Sequence, residues 1–320
     1  MMRSWKNILL IFVLLIGCKS ETPKLSLPIV EKPSYKSAIH EFEGQKAFKS
    51  LVDQVSFGPR VPNTYAHEQC LIFLEAELRK YADEVKLQKF TDIGYDNQTL
   101  KLTNLIASFT PNAAKRILLC AHWDTHPWAS QDSNIQNRNK PIPGANDGAS
   151  GVAVLLEIAR ILKSNPPIIG VDIVLFDGED YAQANDINGY LRGSKYFAKN
   201  LSLPFIPAYG ILLDMIGDSQ LEIPKEGYSM RYAPDIVQKV WFAAKDLNIS
   251  YFVDDIGQEI IDDHLPLNQV GIKTINLIDF NYPDATNKYW HTLQDTPDKC
   301  SAESLEAVGK VLLHIIYHEY

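Results

Sequence analysis

The sequence predicts an α/β fold in which a mostly parallel central sheet has an antiparallel edge and carries helices on both faces. From residue 116 onward, the segments that resemble strands are apolar throughout, which is typical of parallel strands buried on both sides. Helical segments separate them, and this alternation builds a sheet covered on both faces. The composition, 46% hydrophobic and 22% charged, is that of a globular chain and not of a disordered one.

The first third of the chain predicts the helices and strands that precede this alternation. Residues 47–81 are predicted to be mostly helical, with a break at 57–62, where one Gly and two Pro residues occur. Strands are predicted at 85–90 and 99–108, and the run 94–97 between them has the composition of a turn. These two strands are expected to form the antiparallel edge of the sheet.

The alternating part of the chain predicts four strands and four helices. The strands are predicted at 116–121, 171–176, 211–215 and 272–278, and the helices at 151–162, 193–201, 234–247 and 301–317. Ser150 is expected to cap the first of these helices, since a serine hydroxyl can accept a hydrogen bond from a free backbone N–H there. Pro234 suits the first turn of the third helix, where its missing N–H costs nothing.

The charge of the chain bears on its partners. The formal net charge is −8 over 320 residues, and residues 1–17 contain Arg3, Lys6 and no acidic residue. Removal of that segment therefore leaves −8 − 2 = −10. An acidic chain without a cluster of Lys and Arg is not expected to bind nucleic acid, because the phosphate backbone attracts positive charge.

The N-terminal segment predicts export and a lipid anchor. Its positive residues precede a short apolar core at 8–16, which is too short to span a bilayer. The core ends in Leu15-Ile16-Gly17-Cys18, which resembles the cleavage box of bacterial lipoproteins. We therefore expect residues 1–17 to be a lipoprotein signal peptide and Cys18 to carry the lipid. An uncleaved anchor or a plain secretory signal is the alternative.

The predicted anchor sets the domain organisation and the location. Residues 18–40 are rich in Pro, Lys, Glu and Ser and are expected to form a tether. Residues 41–320 then form a single domain. The expected location is the bacterial cell envelope, lipid-anchored to the membrane, either in the periplasm or exposed at the surface.

The cysteines predict no redox motif. Besides Cys18 the chain contains Cys70, Cys120 and Cys300, and no Cys-x-x-Cys occurs, which disfavours a thiolate zinc site. Cys120 lies in an apolar run and is expected to be a buried core thiol. A disulfide between Cys70 and Cys300 is compatible with an exported protein, but no pattern in the sequence requires it.

Acidic and histidine residues lie where the predicted strands end. They are His122 and Asp124 after the strand 116–121, Glu179 and Asp180 after 171–176, Asp214 in 211–215, Asp147 before a helix, and His291 after 272–278. Loops at the carboxyl ends of neighbouring parallel strands converge on one crevice. Nitrogen and carboxylate ligands suit zinc. Taken singly, Asp147 could be a helix cap, whereas Asp214 in a buried strand requires a partner.

Seven motifs resemble those of the zinc aminopeptidase superfamily, which also contains the glutaminyl cyclases, both in their residues and in their order along the chain. The resemblance runs from about residue 45 to the C-terminus and implies a zinc exopeptidase-like fold. The motifs are Phe57-Gly-Pro-Arg60, Ala121-His-Trp-Asp124, Gly144-Ala-Asn-Asp147, Phe176-Asp-Gly-Glu-Asp180, Leu213-Asp-Met215, Asp262-Asp-His-Leu-Pro266 and Trp290-His-Thr292.

The resemblance implies roles for the residues at the matching positions. Asp147, Asp180 and His291 would ligate zinc, and Glu179 would be the carboxylate that transfers protons. Zinc is therefore the expected cofactor, and residues 41–320 are expected to be one zinc-dependent catalytic domain.

The two branches of the superfamily use the remaining residues differently. In the peptidase branch, His122 and Asp214 would hold a second zinc, with Asp147 bridging the two ions. In the cyclase branch one zinc suffices, Asp214 and Asp263 form a hydrogen-bonded acidic pair near the substrate, and Trp290 lines the substrate pocket.

The residues found in the motifs favour the cyclase branch. The run Phe176-Asp-Gly-Glu-Asp180 has the cyclase form, Asp263 supplies an extra acid, and Trp290 supplies an aromatic wall. The expected function is therefore that of a zinc-dependent glutaminyl-peptide cyclotransferase, which converts N-terminal glutamine to pyroglutamate and releases ammonia. Its expected partners are peptides or exported proteins with N-terminal glutamine.

Two alternatives remain open. A zinc aminopeptidase with one or two metal ions is favoured by the run Gly148-Ala-Ser-Gly151 and by the presence of all five ligands of a two-metal site. Asn185 also stands where cyclases carry a tryptophan. A non-catalytic lipoprotein that binds peptides or metal would be expected to lose Glu179, which is present.

Overall fold

The computed structural model describes residues 41–183, 186–201 and 206–319. The predicted signal peptide, Cys18, the tether and Asn185 lie outside these residues. The strands are β1 Glu84–Ile93, β2 Thr99–Phe109, β3 Arg116–His122, β4 Gly170–Phe176, β5 Gly210–Asp214, β6 Ile223–Lys225, β7 Phe252–Ile256 and β8 Thr274–Ile278. The α-helices are α1 Gly44–Ser56, α2 Tyr65–Tyr81, α3 Ser150–Ser164, α4 Arg192–Lys199, α5 Gly227–Tyr232, α6 Pro234–Asp246, α7 His264–Gln269 and α8 Ala302–His318.

The main sheet has six strands in the order β1-β2-β4-β3-β5-β8. The strands β4, β3, β5 and β8 are parallel, whereas β1 and β2 pair antiparallel with each other and β2 pairs antiparallel with β4. The predicted fold class is thereby confirmed, including its antiparallel edge. None of the helices in the described ranges combines the length and apolar character needed to cross a membrane.

Successive residues of a strand point to opposite faces of the sheet, and both faces are covered. On β3, Leu119 belongs to the larger apolar cluster, which includes side chains of α1, α3 and α8. Its neighbours Leu118 and Cys120 belong to a smaller cluster that contains Leu267 of α7 and contacts Phe197 of α4. Cys120 is a buried core thiol, as predicted.

One expectation about a single side chain is wrong. Ser150 does not cap α3: its hydroxyl donates to the carbonyl of Asn146 at 2.5 Å and accepts from the N–H of Ile216 at 3.1 Å. The hydroxyl therefore ties the loop before α3 to the loop after β5. Cys70 and Cys300 are both free and buried, so the disulfide between them is not formed.

Candidate metal centre and active site

The carboxyl ends of the parallel strands bring most of the predicted site residues together. His122 and Asp214 are the last residues of β3 and β5. A cleft of about 340 Å³ opens beside them. It is lined by Asp147, Glu179, Asp180, Ile187, Tyr190, Asp214, Met215, Glu259, Ile260, Ile261, Asp262, Ile278, Phe280, Trp290 and His291. Separate segments of the chain therefore contribute side chains to one cleft at this edge of the sheet, as the topology predicts.

One group of ligand atoms surrounds His291. Its Nε2 lies 3.3 Å from Oδ1 of Asp180 and 3.4 Å from Oδ2 of Asp147, and all three side chains are buried. A tetrahedral zinc ion with bonds of about 2.0–2.1 Å separates neighbouring ligand atoms by about 3.3–3.4 Å. Both distances from Nε2 of His291 have this value, and Oδ2 of Asp180 is buried without a hydrogen-bond partner. The donor set therefore fits zinc.

A second group surrounds His122. Its Nε2 lies 3.3 Å from Oδ1 of Asp147 and 3.2 Å from Oδ1 of Asp214. Asp147 therefore contributes one oxygen to each group, which is the arrangement of a carboxylate that bridges two ions. The spacing fits a second ion as well as it fits hydrogen bonds from a protonated imidazole.

Charge around the two imidazoles favours a cation. Burial alone would lower the pKa of His291, but the carboxylates of Asp180 and Asp147 outweigh it and raise that pKa to about 10. Burial would also lower the pKa of His122. Hydrogen bonds to three carboxylates outweigh burial and raise that pKa well above its usual value. Because the surrounding carboxylates stabilise positive charge here, the site can hold a divalent cation in place of protons.

Asp124 holds the loop that carries two site residues. Its two carboxyl oxygens accept hydrogen bonds from the backbone N–H groups of Glu179 at 3.0 Å and Asp180 at 3.2 Å. Gly148 lies against the same residue, because a Cβ built there would be 2.3 Å from the carbonyl oxygen of Asp124 and φ is +99°. Asp124 therefore fixes the positions of two neighbouring segments of the site.

The loop around Asp147 is held in a similar way. Asp295 accepts hydrogen bonds from the N–H groups of Asn146 at 2.8 Å and Asp147 at 3.2 Å. The buried guanidinium of Arg60 donates to the carbonyl of Gly144 at 2.6 Å. Arg60, the last residue of the motif Phe57-Gly-Pro-Arg60, therefore has a structural role in holding this loop. The sequence had indicated no role for it.

Glu179 lines the cleft but does not belong to either group of ligand atoms among the described residues. Burial, followed by the charge of Asp180, raises the pKa of its carboxyl well above the usual value. A carboxylate whose pKa is raised accepts a proton more readily than an ordinary one, which suits Glu179 to proton transfer.

The acid that lines the cleft together with Asp214 is Asp262 and not the predicted Asp263. Asp262 lines the cleft, whereas Asp263 is not among the described lining residues, and neither carboxyl oxygen of Asp263 has a hydrogen-bond partner there. The predicted hydrogen-bonded pair of Asp214 and Asp263 is therefore wrong. Asp263 directly precedes α7 with helical dihedral angles, so its side chain leaves the backbone in a different direction from that of Asp262.

Asp262 has the properties expected of that acid. Its Oδ2 accepts a hydrogen bond from the side chain of Asn276 at 2.6 Å, and its Oδ1 accepts one from the N–H of Asp263 at 2.6 Å. Burial, followed by the charge of Asp214, raises the pKa of Asp262 to about 7. The raised pKa favours the protonated form of Asp262, which can donate a hydrogen bond.

Aromatic and aliphatic side chains form the opposite wall of the cleft. The ring of Trp290 stacks on that of His291, with centroids 4.0 Å apart, and meets the edge of Phe280 at 5.1 Å. Ile187 and Met215 also line the cleft. The wall can pack against the methylene groups of a small side chain and exclude water from the site.

The sequence analysis missed one histidine. His126 is buried, and its Nδ1 lies 2.9 Å from Oδ1 of Asp180. The signal was present, since His122 and His126 are four residues apart in His122-Trp-Asp-Thr-His126.

An open α/β sheet with histidine and carboxylate groups at its carboxyl edge defines a zinc exopeptidase-like protein. Residues 104–316 match Peptidase family M28, and the chain belongs to this family. Zinc is the cofactor that the family and the ligand set indicate.

Two solved structures are similar to the chain along most of its length. One is a glutaminyl cyclase of Bacteroides thetaiotaomicron bound to N-acetylhistamine, with 41% identity, 88% of this chain and 99% of that chain covered, and a TM-score of 0.84. The other is a leucine aminopeptidase precursor from the same organism, with 42% identity, coverages of 88% and 98%, and a TM-score of 0.84.

Two curated relatives carry names from the same two branches. The chain is 26% identical to aminopeptidase YwaD of Bacillus subtilis over 87% of this chain, and it spans 58% of that protein's length. It is 24% identical to the glutaminyl-peptide cyclotransferase of Bos taurus over 66% of this chain, and it spans 64% of that protein's length.

Proposed function

We propose that this chain is a zinc-dependent glutaminyl-peptide cyclotransferase, which converts the N-terminal glutamine of peptides or exported proteins to pyroglutamate and releases ammonia. The observation that carries the proposal is Asp262, a buried acid that lines the cleft and accepts hydrogen bonds from the side chain of Asn276 and the N–H of Asp263. A peptidase requires an activated water and no such acid, whereas a cyclase must hold a polar side-chain amide in a defined orientation. The similarity to a glutaminyl cyclase at 41% identity supports the same proposal.

The site residues would divide into zinc ligands and a proton-transfer group. Asp147, Asp180 and His291 would hold zinc, which when bound polarises the carbonyl of the glutamine side-chain amide. Glu179 accepts a proton from the α-amino nitrogen as that nitrogen forms a bond to the amide carbon. Glu179 then returns the proton to the amide nitrogen, the carbon–nitrogen bond breaks, and ammonia leaves.

The acidic pair and the apolar wall would hold the substrate in place. A protonated Asp262, beside Asp214, can donate a hydrogen bond to a carbonyl of the substrate. Trp290 and Phe280 provide a surface for the glutamine methylene groups. Holding nucleophile and carbonyl together in a small cleft removes much of the entropic cost of ring closure, and it also keeps water from competing as the nucleophile.

A zinc aminopeptidase is the second candidate, and one observation favours it. His122, Asp147 and Asp214 form a second group with the spacing of zinc ligands. In that case two ions would share Asp147, and Glu179 would take a proton from water and not from an amine. The similarity to a leucine aminopeptidase precursor supports this alternative.

One assay separates the two activities. The purified protein, loaded with zinc, is incubated with a peptide that begins with glutamine and with glutaminyl and leucyl arylamides. Ammonia release without shortening of the peptide identifies the cyclase, and release of a free amino acid identifies the aminopeptidase. Neither product in zinc-loaded protein would reject both enzymes and favour a non-catalytic peptide-binding role.

The location of the enzyme is a separate part of the proposal. We propose that residues 41–320 form one catalytic domain, which residues 18–40 tether to a lipid on Cys18 in the bacterial cell envelope. The sequence Leu15-Ile16-Gly17-Cys18 supports this. In a bacterial host the unaltered protein should partition into a detergent phase and the Cys18→Ser variant into the aqueous phase. Equal partitioning of the two would reject the lipid anchor.

A further inference from the structure

His126 lies against two of the three proposed zinc ligands. Its imidazole is buried, and its ring stacks on that of His291 with centroids 3.9 Å apart and an angle of 12° between the planes. On the other side, its Nδ1 lies 2.9 Å from Oδ1 of Asp180 and 2.8 Å from the backbone carbonyl oxygen of the same residue. Together with these two residues it forms a group that could itself be taken for three metal ligands.

The hydrogen-bond geometry argues that Nδ1 of His126, the nitrogen that faces Asp180, is not a ligand. A backbone carbonyl oxygen can only accept, so a nitrogen 2.8 Å from it must carry the hydrogen. A nitrogen that carries a hydrogen cannot bind a metal ion. The distance of 2.9 Å to Oδ1 of Asp180 is also shorter than the separation of about 3.3 Å between neighbouring zinc ligands, and it is typical of a hydrogen bond.

We infer that His126 is a positioning residue for the metal centre: its Nδ1–H donates to Asp180, and its ring packs against His291. The edge of Trp128, whose ring centroid is 5.5 Å away, helps to keep the imidazole in place. Asp180 then presents Oδ1 to the ion at a fixed angle, and His291 loses much of its freedom to rotate. One side chain thus restrains two ligands that come from different loops.

The inference rests on the proposed zinc site but not on the reaction that the site performs. Zinc affinity is therefore the readout, and turnover is not. Side chains that orient metal ligands through hydrogen bonds typically contribute about 10- to 100-fold in affinity.

Two substitutions separate the hydrogen bond from the packing. His126→Phe keeps a flat ring against His291 but has no donor, whereas the side-chain amide of His126→Asn can place an N–H near the position of Nδ1 and has no ring. His67→Phe is the matched control. His67 is also buried, stacks on Trp123 at 4.3 Å and contacts Asp177 at 2.8 Å, but Asp177 belongs to neither candidate ligand group.

The affinity of each protein for zinc is measured by competition with a chromophoric chelator, and the visible absorption of each protein loaded with Co²⁺ is recorded. We expect His126→Phe to bind zinc about 10- to 100-fold more weakly. His126→Asn should lose less affinity than His126→Phe, because it keeps the donor to Asp180 and gives up only the ring contact with His291. The cobalt spectra of the variants should keep the bands of the unaltered protein, because no ligand is lost. His67→Phe should lower the unfolding temperature without changing zinc affinity.

Four results would overturn the inference. Unchanged affinity in His126→Phe would show that the hydrogen bond is irrelevant. Equal losses in both His126 variants would also contradict it, and an altered cobalt spectrum would then identify His126 as a ligand. An equal loss in His67→Phe would indicate general loosening of the fold. Finally, if the unaltered protein bound no zinc, the proposed function itself would be contradicted. That outcome is distinct from the other three, which concern His126 alone.

Discussion

Replacement of Glu179 by Gln is the sharpest test of the proposed chemistry. The side chain of Glu179 lines the cleft and belongs to neither group of metal-ligand atoms among the described residues. Its backbone N–H is held by Asp124 at 3.0 Å, and that bond does not depend on the side chain. Glutamine has nearly the same size, so the substitution removes the ability to accept a proton and leaves the geometry of the site in place.

The expected loss follows from that single change. A general acid or base is worth about 10²- to 10⁴-fold in rate, which corresponds to about 3–5.5 kcal/mol of transition-state free energy. The unfolding temperature should stay the same or rise slightly, because burial, followed by the charge of Asp180, already disfavours the ionised carboxyl of Glu179.

The assay follows ammonia release from a saturating peptide with N-terminal glutamine, and elemental analysis gives zinc per chain. Glu259→Gln is the matched control, because Glu259 also lines the cleft but is exposed and pairs with Arg231. That variant should keep nearly full turnover. If Glu179→Gln retained turnover within a few fold of the unaltered protein, or lost its zinc, the assigned role would be wrong.

Three further outcomes are expected. His291→Ala should lose both zinc and activity, whichever reaction the site performs; retention of full zinc content in elemental analysis would show that His291 is not a ligand. Asp262→Asn should lower turnover by about tenfold or more, which is the equivalent of one hydrogen bond to substrate. Asp263→Asn should keep turnover within about twofold of the unaltered protein. A larger loss in Asp263→Asn than in Asp262→Asn would contradict the placement of these acids. Burial raises the pKa of Asp279 to about 7 from 3.8, so the folded protein holds a proton that the unfolded chain has lost between about pH 4 and 7. The free energy of unfolding should therefore fall as pH rises through that window, and Asp279→Asn should reduce this slope in denaturant titrations at a series of pH values; an unchanged slope would refute the assignment.

The parallel part of the fold was predictable because its strands are buried on both faces. β3 and β8 are buried at every position, and a strand in that environment is apolar throughout. The order of the strands in the sheet was not predictable, because apolar runs do not specify their neighbours. The short elements β6 and α7 were missed, since three and six residues are too few to show a period.

The candidate site was predictable at the level of the loops and less so at the level of single side chains. Strand ends place Asp180 and Asp214 at one edge of the sheet whatever the detailed packing. The choice between Asp262 and Asp263 depends on the direction of one backbone segment as it enters α7, which no pattern in the sequence encodes. The contacts of His126 depend on tertiary packing between loops in the same way.

The two groups of ligand atoms are not equally suited to a cation, and this bears on which reaction the site performs. Burial would raise the pKa of every carboxyl here, but the neighbouring imidazoles outweigh it at Asp147, which both groups share, and at Asp180 in the group around His291, so that both pKa values are lowered. In the group around His122, burial prevails at Asp214, whose pKa is raised. A divalent ion binds ionised carboxylates, so the group around His291 competes better for the first ion. A second ion would have to bind at Asp214, close to the charge of the first. Displacement of a proton does not separate the two groups, because the pKa values of His122 and His291 are both raised. The charge of the first ion therefore opposes the second, and zinc per chain by elemental analysis measures the outcome. One zinc would fit the cyclase, and two would identify the two-metal aminopeptidase.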